Sequence, residues 1–310
     1  MNDARRLSYT TGPDDEGRSV ERILRSRLHL TATMVRRAKF RPQGITLDGL
    51  RVRSIEKVHA GQTVSVAIGD TEEAISASDV APASDGSPSL LHIVMEDDDI
   101  VICDKPAGVP MHPGPGHHDD TLGNLLMAHY LERGERVGFH PVHRLDMDTS
   151  GLVVVAKSAF AQNRLQRALH TECFVRRYLA FCEGTLPTTS GTIDAPIALG
   201  DDLMHREVRA GGKAARTHYR VLSAGNVSGG ISLMELQLET GRTHQIRVHM
   251  ASIGHPVLGD SLYGRRSDLI DRPALHSAHL EIEHPVTGRR LVFDSPLPPD
   301  MERLLETFTD

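Results

Sequence analysis

A histidine, an arginine and two carboxylates fall close together in His143-Arg144-Leu145-Asp146-Met147-Asp148, followed at once by Thr149-Ser150-Gly151. An ionised aspartate beside a cation can serve as a nucleophile or a general base. The next run, Leu152-Val153-Val154-Val155-Ala156, is continuous and β-branched and reads as a buried strand. Asp146 therefore belongs to a turn entering a sheet, where a rigid scaffold commonly presents catalytic groups. Asp148, Thr149 and Ser150 read more simply as turn chemistry, with Gly151 free to take positive φ. Residues two apart share a face in a strand but not generally in a turn, so Asp146 and Asp148 do not read as an acid–base pair. Ser150 lacks the Gly-x-Ser-x-Gly elbow of a serine hydrolase.

The second stretch with chemical content is Thr240-Gly241-Arg242-Thr243-His244-Gln245-Ile246-Arg247-Val248-His249-Met250. Thr243 is expected to cap a helix with Ile246 and Met250 on its inner face and Gly254 at its end. Arg242 then lies at a strand-to-helix junction, where it can project toward the sheet centre. Tyr178 falls in a strand around Arg176–Phe181, where packing is the default role of a tyrosine. The loop His112-Pro113-Gly114-Pro115-Gly116-His117-His118 is rich in histidine, but no helix-spaced pair fixes a metal geometry, and it matches neither nucleotide-binding glycine pattern.

The elements that must position these residues follow from periodicity. With 310 residues the chain has room for two domains. Cys103, Cys173 and Cys182 lack Cys-x-x-Cys spacing, which points to a reducing cytoplasm rather than a disulfide framework. No apolar leader or membrane-spanning run is apparent. The net charge of −6 is unevenly spread: residues 17–60 carry eleven Lys/Arg against three acids, whereas residues 61–100 carry nine acids and no Lys/Arg. A basic module joined to an acidic body is the pattern expected if the first segment meets phosphates.

Residues 1–16 are expected to fray. Over 17–69, two short helices with outward Arg22, Arg25, Arg36, Arg37 and Lys39 precede a small sheet; residues 70–90 read as a linker, and 91–310 as the main domain. That order resembles the S-four-like RNA-binding module named after a ribosomal protein, although Thr31-Ala32-Thr33 replaces the usual Ser-Arg pair.

From about residue 92 to 299 the chain resembles the RluA branch of the pseudouridine synthases. Lys105-Pro-Ala-Gly-Val, His143-Arg144-Leu145-Asp146 through Gly151, Arg177-Tyr178-x-Ala-x-x-x-Gly184, and Thr240 through His249 with Gly259-Asp260 and Tyr263-Gly264 stand in the family's order. The resemblance implies an α+β fold, with a mixed, mainly antiparallel sheet, flanking helices and a central cleft, plus the small N-terminal α/β module. It implies Asp146 as nucleophile, Arg242 as its salt-bridge partner, Tyr178 stacking on a flipped base, and Arg144 filling the vacated stack. Arg36, Arg37 and Lys39 are expected to touch RNA. The implied enzyme acts as a cytoplasmic monomer on ribosomal or transfer RNA without metal or cofactor. A non-catalytic RNA-binding protein is the alternative. A glycoside hydrolase would require a second carboxylate that the sequence does not offer.

Overall fold

The computed structural model describes residues 5–70, 80–83, 91–202, 205–225 and 230–309. The N-terminal unit runs β1 (Arg6–Thr10), α1 (Val20–Ser26), α2 (Ala32–Phe40), β2 (Ile45–Leu47), β3 (Leu50–Arg51) and β4 (Thr63–Ala67). Its four strands form an antiparallel sheet in the order β1-β4-β2-β3. The hydroxyls of Ser19 and Thr31 cap the two helices, each accepting a backbone N–H three residues on. Val20, Ile23, Leu24 and Val35 bury the apolar helix faces against Val64 and Val66.

The frayed segment expected over residues 1–16 is corrected by β1. Arg6 donates to Ser65 Oγ and Thr46 Oγ1, and Leu7 joins the core. Asp15, in an acidic run that looks solvated, is buried because Tyr9 donates to it at 2.8 Å and Arg27 pairs with it at 2.9 Å. Charged residues can be buried when they are paired, and the pairing comes from elsewhere in the chain.

The larger unit contains β5 (His92–Glu96), β6 (Ile100–Lys105), α3 (Leu122–Glu132), β7 (His140–Pro141), β8 (Ser150–Ala156), α4 (Ala159–Ala168), β9 (Phe174–Glu183), β10 (Ser190–Asp194), β11 (Ile197–Leu199) and β12 (Arg206–Val208). It closes with β13 (Arg216–Gly225), β14 (Ile231–Leu238), α5 (Gln245–Ser252), β15 (Leu275–Glu283), β16 (Arg290–Asp294) and α6 (Pro299–Thr309). The main sheet is ordered β10-β13-β14-β9-β15-β8-β6-β5, with β16 on β15 and β7 on β8. Every pairing is antiparallel except β15 with β8. All seven residues of β8 are buried, as its unbroken apolar run requires.

Among the described residues, contacts of three kinds fasten the units together: apolar packing, an arginine clamp and a carboxylate–histidine pair. Phe160, on α4 of the larger unit, is buried in the N-terminal core beside Leu30 and Ile68. Arg5 grips the buried Asp99 with two hydrogen bonds of 3.0 and 2.8 Å. Asp70 pairs with His140 at 2.5 Å and accepts the Ala159 N–H. Within the expected linker, Asn124 Nδ2 donates to the Ala81 carbonyl, and Val80 and Ala83 pack on the larger core. The remainder of the linker lies outside the described residues.

Candidate active site

Asp146 lies on the turn before β8, and the turn is held through its backbone. Thr149 N–H donates to the Asp146 carbonyl at 3.1 Å. The Met147 carbonyl accepts from Gly108 N at 3.0 Å and from the Lys105 ammonium at 2.8 Å. Arg272, clamped by Asp300 at 2.6 and 2.9 Å, donates to the Asp148 carbonyl. Lys105 has no exposed surface and donates also to the carbonyls of Pro106 and Val109. Burial pushes its ammonium down to about 7, against the opposing pull of Asp148 and Asp146. Gly151 takes φ +108°, and a Cβ there would meet the Ser277 carbonyl oxygen at 2.3 Å, so only glycine lets β8 approach β15 here.

The cation beside Asp146 is Arg247, whose guanidinium lies 3.7 Å from the carboxylate. The expected partner, Arg242, is corrected: its Nε donates instead to the Ala214 carbonyl at 3.0 Å, while the residue still lines the cleft. Local geometry explains the exchange. The helix starts at Gln245 with no side-chain cap, and His244 stands before it in left-handed conformation, so Thr243 is not the cap. Gln245 instead ties the junction together, accepting from Arg242 N and donating to the Arg216 carbonyl and Thr217 Oγ1. This draws Arg242 toward β13 and leaves Arg247, on the first turn of α5, facing Asp146. Asp260, fully buried, grips Arg247 with two bonds of 2.6 and 2.7 Å, a planar fork geometry that fixes the guanidinium. Its charge partners hold Arg247 above the ordinary arginine range despite burial. A sequence signal for this pair existed in the Gly259-Asp260 dipeptide after the helix, but nothing local linked it to position 247.

Tyr178, in β9 between β14 and β15, is buried and lines the same cleft as Asp146. Burial raises its hydroxyl above the ordinary phenol range, Arg176 opposes this and Asp146 adds to it. Arg144 is exposed at the cleft rim. His244 also lines the cleft; its Nδ1 lies 2.8 Å from the Tyr263 hydroxyl, which accepts the Arg206 N–H.

Other clusters are engaged in holding structure. Ser150 Oγ and His276 Nδ1 are 2.9 Å apart, but both are buried, so this pair does not meet substrate. Ligand atoms of Asp97, Asp99 and His284 gather within 4.8 Å. There Arg5 covers Asp99 and His284 donates to Asp97 at 2.9 Å. In the histidine-rich loop, His117 pairs with Asp120 at 2.7 Å. On α2, Arg36 and Arg37 are exposed, while Lys39 is tied to Glu21 at 3.0 Å.

Residues 99–252 match the family described as RNA pseudouridylate synthase. The chain is 43% identical over 276 residues to the ribosomal large subunit pseudouridine synthase D of Nitrosomonas europaea, covering 84% of this chain and 76% of that one. It is 46% identical over 221 residues to an RNA pseudouridine synthase of Bacillus subtilis, covering 70% and 72% of the two chains. Among solved structures it is similar to human RNA pseudouridylate synthase domain containing 1, with TM-score 0.56 and 26% identity over 73% of this chain and 97% of that one. The aspartate–arginine cleft on a mixed sheet and these likenesses agree: the chain belongs to the RNA pseudouridine synthases, isomerases that act on uridine in RNA.

Proposed function

We propose that this enzyme modifies uridine in large-subunit ribosomal RNA, using Asp146 as nucleophile on a base flipped out of its stem. The observation that carries the reading is the Asp146 carboxylate 3.7 Å from a guanidinium that Asp260 holds in place. The reaction breaks the N1–C1′ bond, turns the uracil, and forms the C5–C1′ bond. N1 gains a proton and C5 loses one, so no redox chemistry is required. Asp146 attacks either C1′ or C6, and the Arg247 guanidinium beside it holds the carboxylate in position. Extruding a base costs a few kcal/mol. Arg144, exposed at the rim, is suited to fill the vacated stack, and Tyr178 to pack on the uracil. The C5 proton leaves to water or to a base lining the cleft, Tyr178 and the released Asp146 being the groups at hand.

Residues 17–69, with two capped helices preceding three strands, support the S-four-like reading and a role in holding RNA through Arg36 and Arg37. Lys39 contributes less, because Glu21 already neutralises it. The ribosomal target rests on the names of the relatives, five of which are called ribosomal large subunit pseudouridine synthase D. Free cysteines at positions 103, 173 and 182 suit a monomer working in a reducing cytoplasm. No helix among the described residues is long and apolar enough to cross a membrane. Mapping pseudouridines in RNA from cells lacking the protein tests the substrate: sites should vanish from large-subunit ribosomal RNA, and losses confined to transfer RNA would overturn that assignment.

A further inference from the structure

Apart from the cleft, a trough of about 880 Å³ lies where the N-terminal unit meets α4 of the larger one. Four cations from three separate parts of the sequence line it: Arg22 and Arg25 on α1, Lys57 before β4, and Arg167 near the end of α4. All four are exposed, and none has an acidic partner within ion-pair distance among the described residues. The acid in the trough, Glu21, is already taken by Lys39 at 3.0 Å and Ser54 Oγ at 3.2 Å. Thr31 and Ala32 also line it, so the N-terminal end of α2 adds its partial positive charge.

Exposed cations gathered around a concave surface repel one another unless an anion joins them. We infer that this trough is a phosphate-binding track for the RNA stem flanking the target uridine, built jointly by both units. The path to the cleft supports RNA over a compact anion. Three residues beyond Arg167, His170 Nδ1 donates to the Glu239 carbonyl at 2.8 Å. Glu239 leads directly into Thr240-Gly241-Arg242, and Arg242 lines the cleft. The trough and the cleft rim are therefore linked by one short bridge of chain, over which a nucleic-acid backbone can pass. The inference rests on RNA being the substrate class but not on which RNA, because phosphate contacts do not read sequence.

The test uses the full chain and two probes: an RNA hairpin with a uridine loop on a long stem, and the same hairpin with its stem cut short. Affinity is measured across a range of salt for wild type, for Arg167→Gln, and for Arg22→Gln/Arg25→Gln/Arg167→Gln. Each neutralised contact should flatten the slope of log affinity against log salt by roughly 0.7 to 0.9. The triple variant should thus lose about two units and bind the two hairpins alike, while wild type prefers the long stem. Arg167→Gln, an exposed single change, shows the one-unit effect even if the triple variant folds poorly. A slope and a stem preference unchanged in Arg167→Gln would overturn the track. Because the probes carry no ribosomal sequence, this outcome is independent of the substrate mapping.

Discussion

At the scale of the residue, the distinction between Arg242 and Arg247 is the most informative. Arg247→Met removes the cation beside Asp146 and strands Asp260, which has no exposed surface. Losing one partner of a buried pair costs about 3–5 kcal/mol, so this variant should lose both turnover and stability. Arg242→Met gives up one bond to a backbone carbonyl and should keep its fold and far more of its turnover; denaturant midpoints and kcat for the two variants check the order. Asp146→Asn keeps the side-chain size but loses the carboxylate proposed as nucleophile. Label release from C5 of uridine should fall by more than about a hundredfold, since covalent catalysis is worth several kcal/mol.

Lys105 gives a pH-dependent expectation. Burial lowers it from 10.5 to about 7 in the folded chain. Between those values the unfolded chain holds a proton that the folded chain lacks, so stability rises with pH, by up to about 1.4 kcal/mol per pH unit. Below 7 both states are protonated and the contribution is flat. Urea midpoints of wild type measured against Lys105→Met should show a difference that grows from about pH 7 toward pH 10.

At the scale of the element, the turn before β8 places Asp146, the proposed nucleophile, where two strands meet in parallel. Gly151 pairs with Ser277, and β8 and β15 make the sole parallel contact among the described strands. Gly151→Ala introduces an unfavourable positive φ and a clash with backbone at 2.3 Å. It should cost about 2–4 kcal/mol and move Asp146 off its target. Chemical denaturation and the C5 release assay read the two effects separately. Helix α5 shows the complementary case: its first turn carries Arg247, and Gln245 ties that turn to β13 through the Arg216 carbonyl and Thr217.

At the scale of the whole molecule, the N-terminal unit is fastened to the enzyme rather than tethered by a free linker. Phe160 completes its core, and Arg5 neutralises Asp99 on the other unit. Phe160→Ala should cost about 3–5 kcal/mol and split a single calorimetric transition into two as the units lose their coupling. The same contacts mean that cutting away the N-terminal unit would expose Phe160 and take the arginine from the buried Asp99, so point substitutions in the intact chain test its proposed role in RNA binding more cleanly.

The sequence by itself determined much of this picture. The β-branched run 152–156 reads as a buried strand, Ser19, Thr31 or Thr33, Thr121 and Ser158 stand where helices need caps, and the turn at Asp146 follows from the strand; the structure caps the second helix with Thr31. These features depend on side-chain period and on hydrogen bonds a few residues long, which adjacent residues dictate. Only the tertiary structure decided which arginine meets Asp146, that Asp15 is buried, that Arg6–Thr10 is a strand and that Arg167 joins Arg22 and Arg25. Each of these depends on a partner distant in sequence, and a charged side chain shows its direction only when the group that neutralises it is in place.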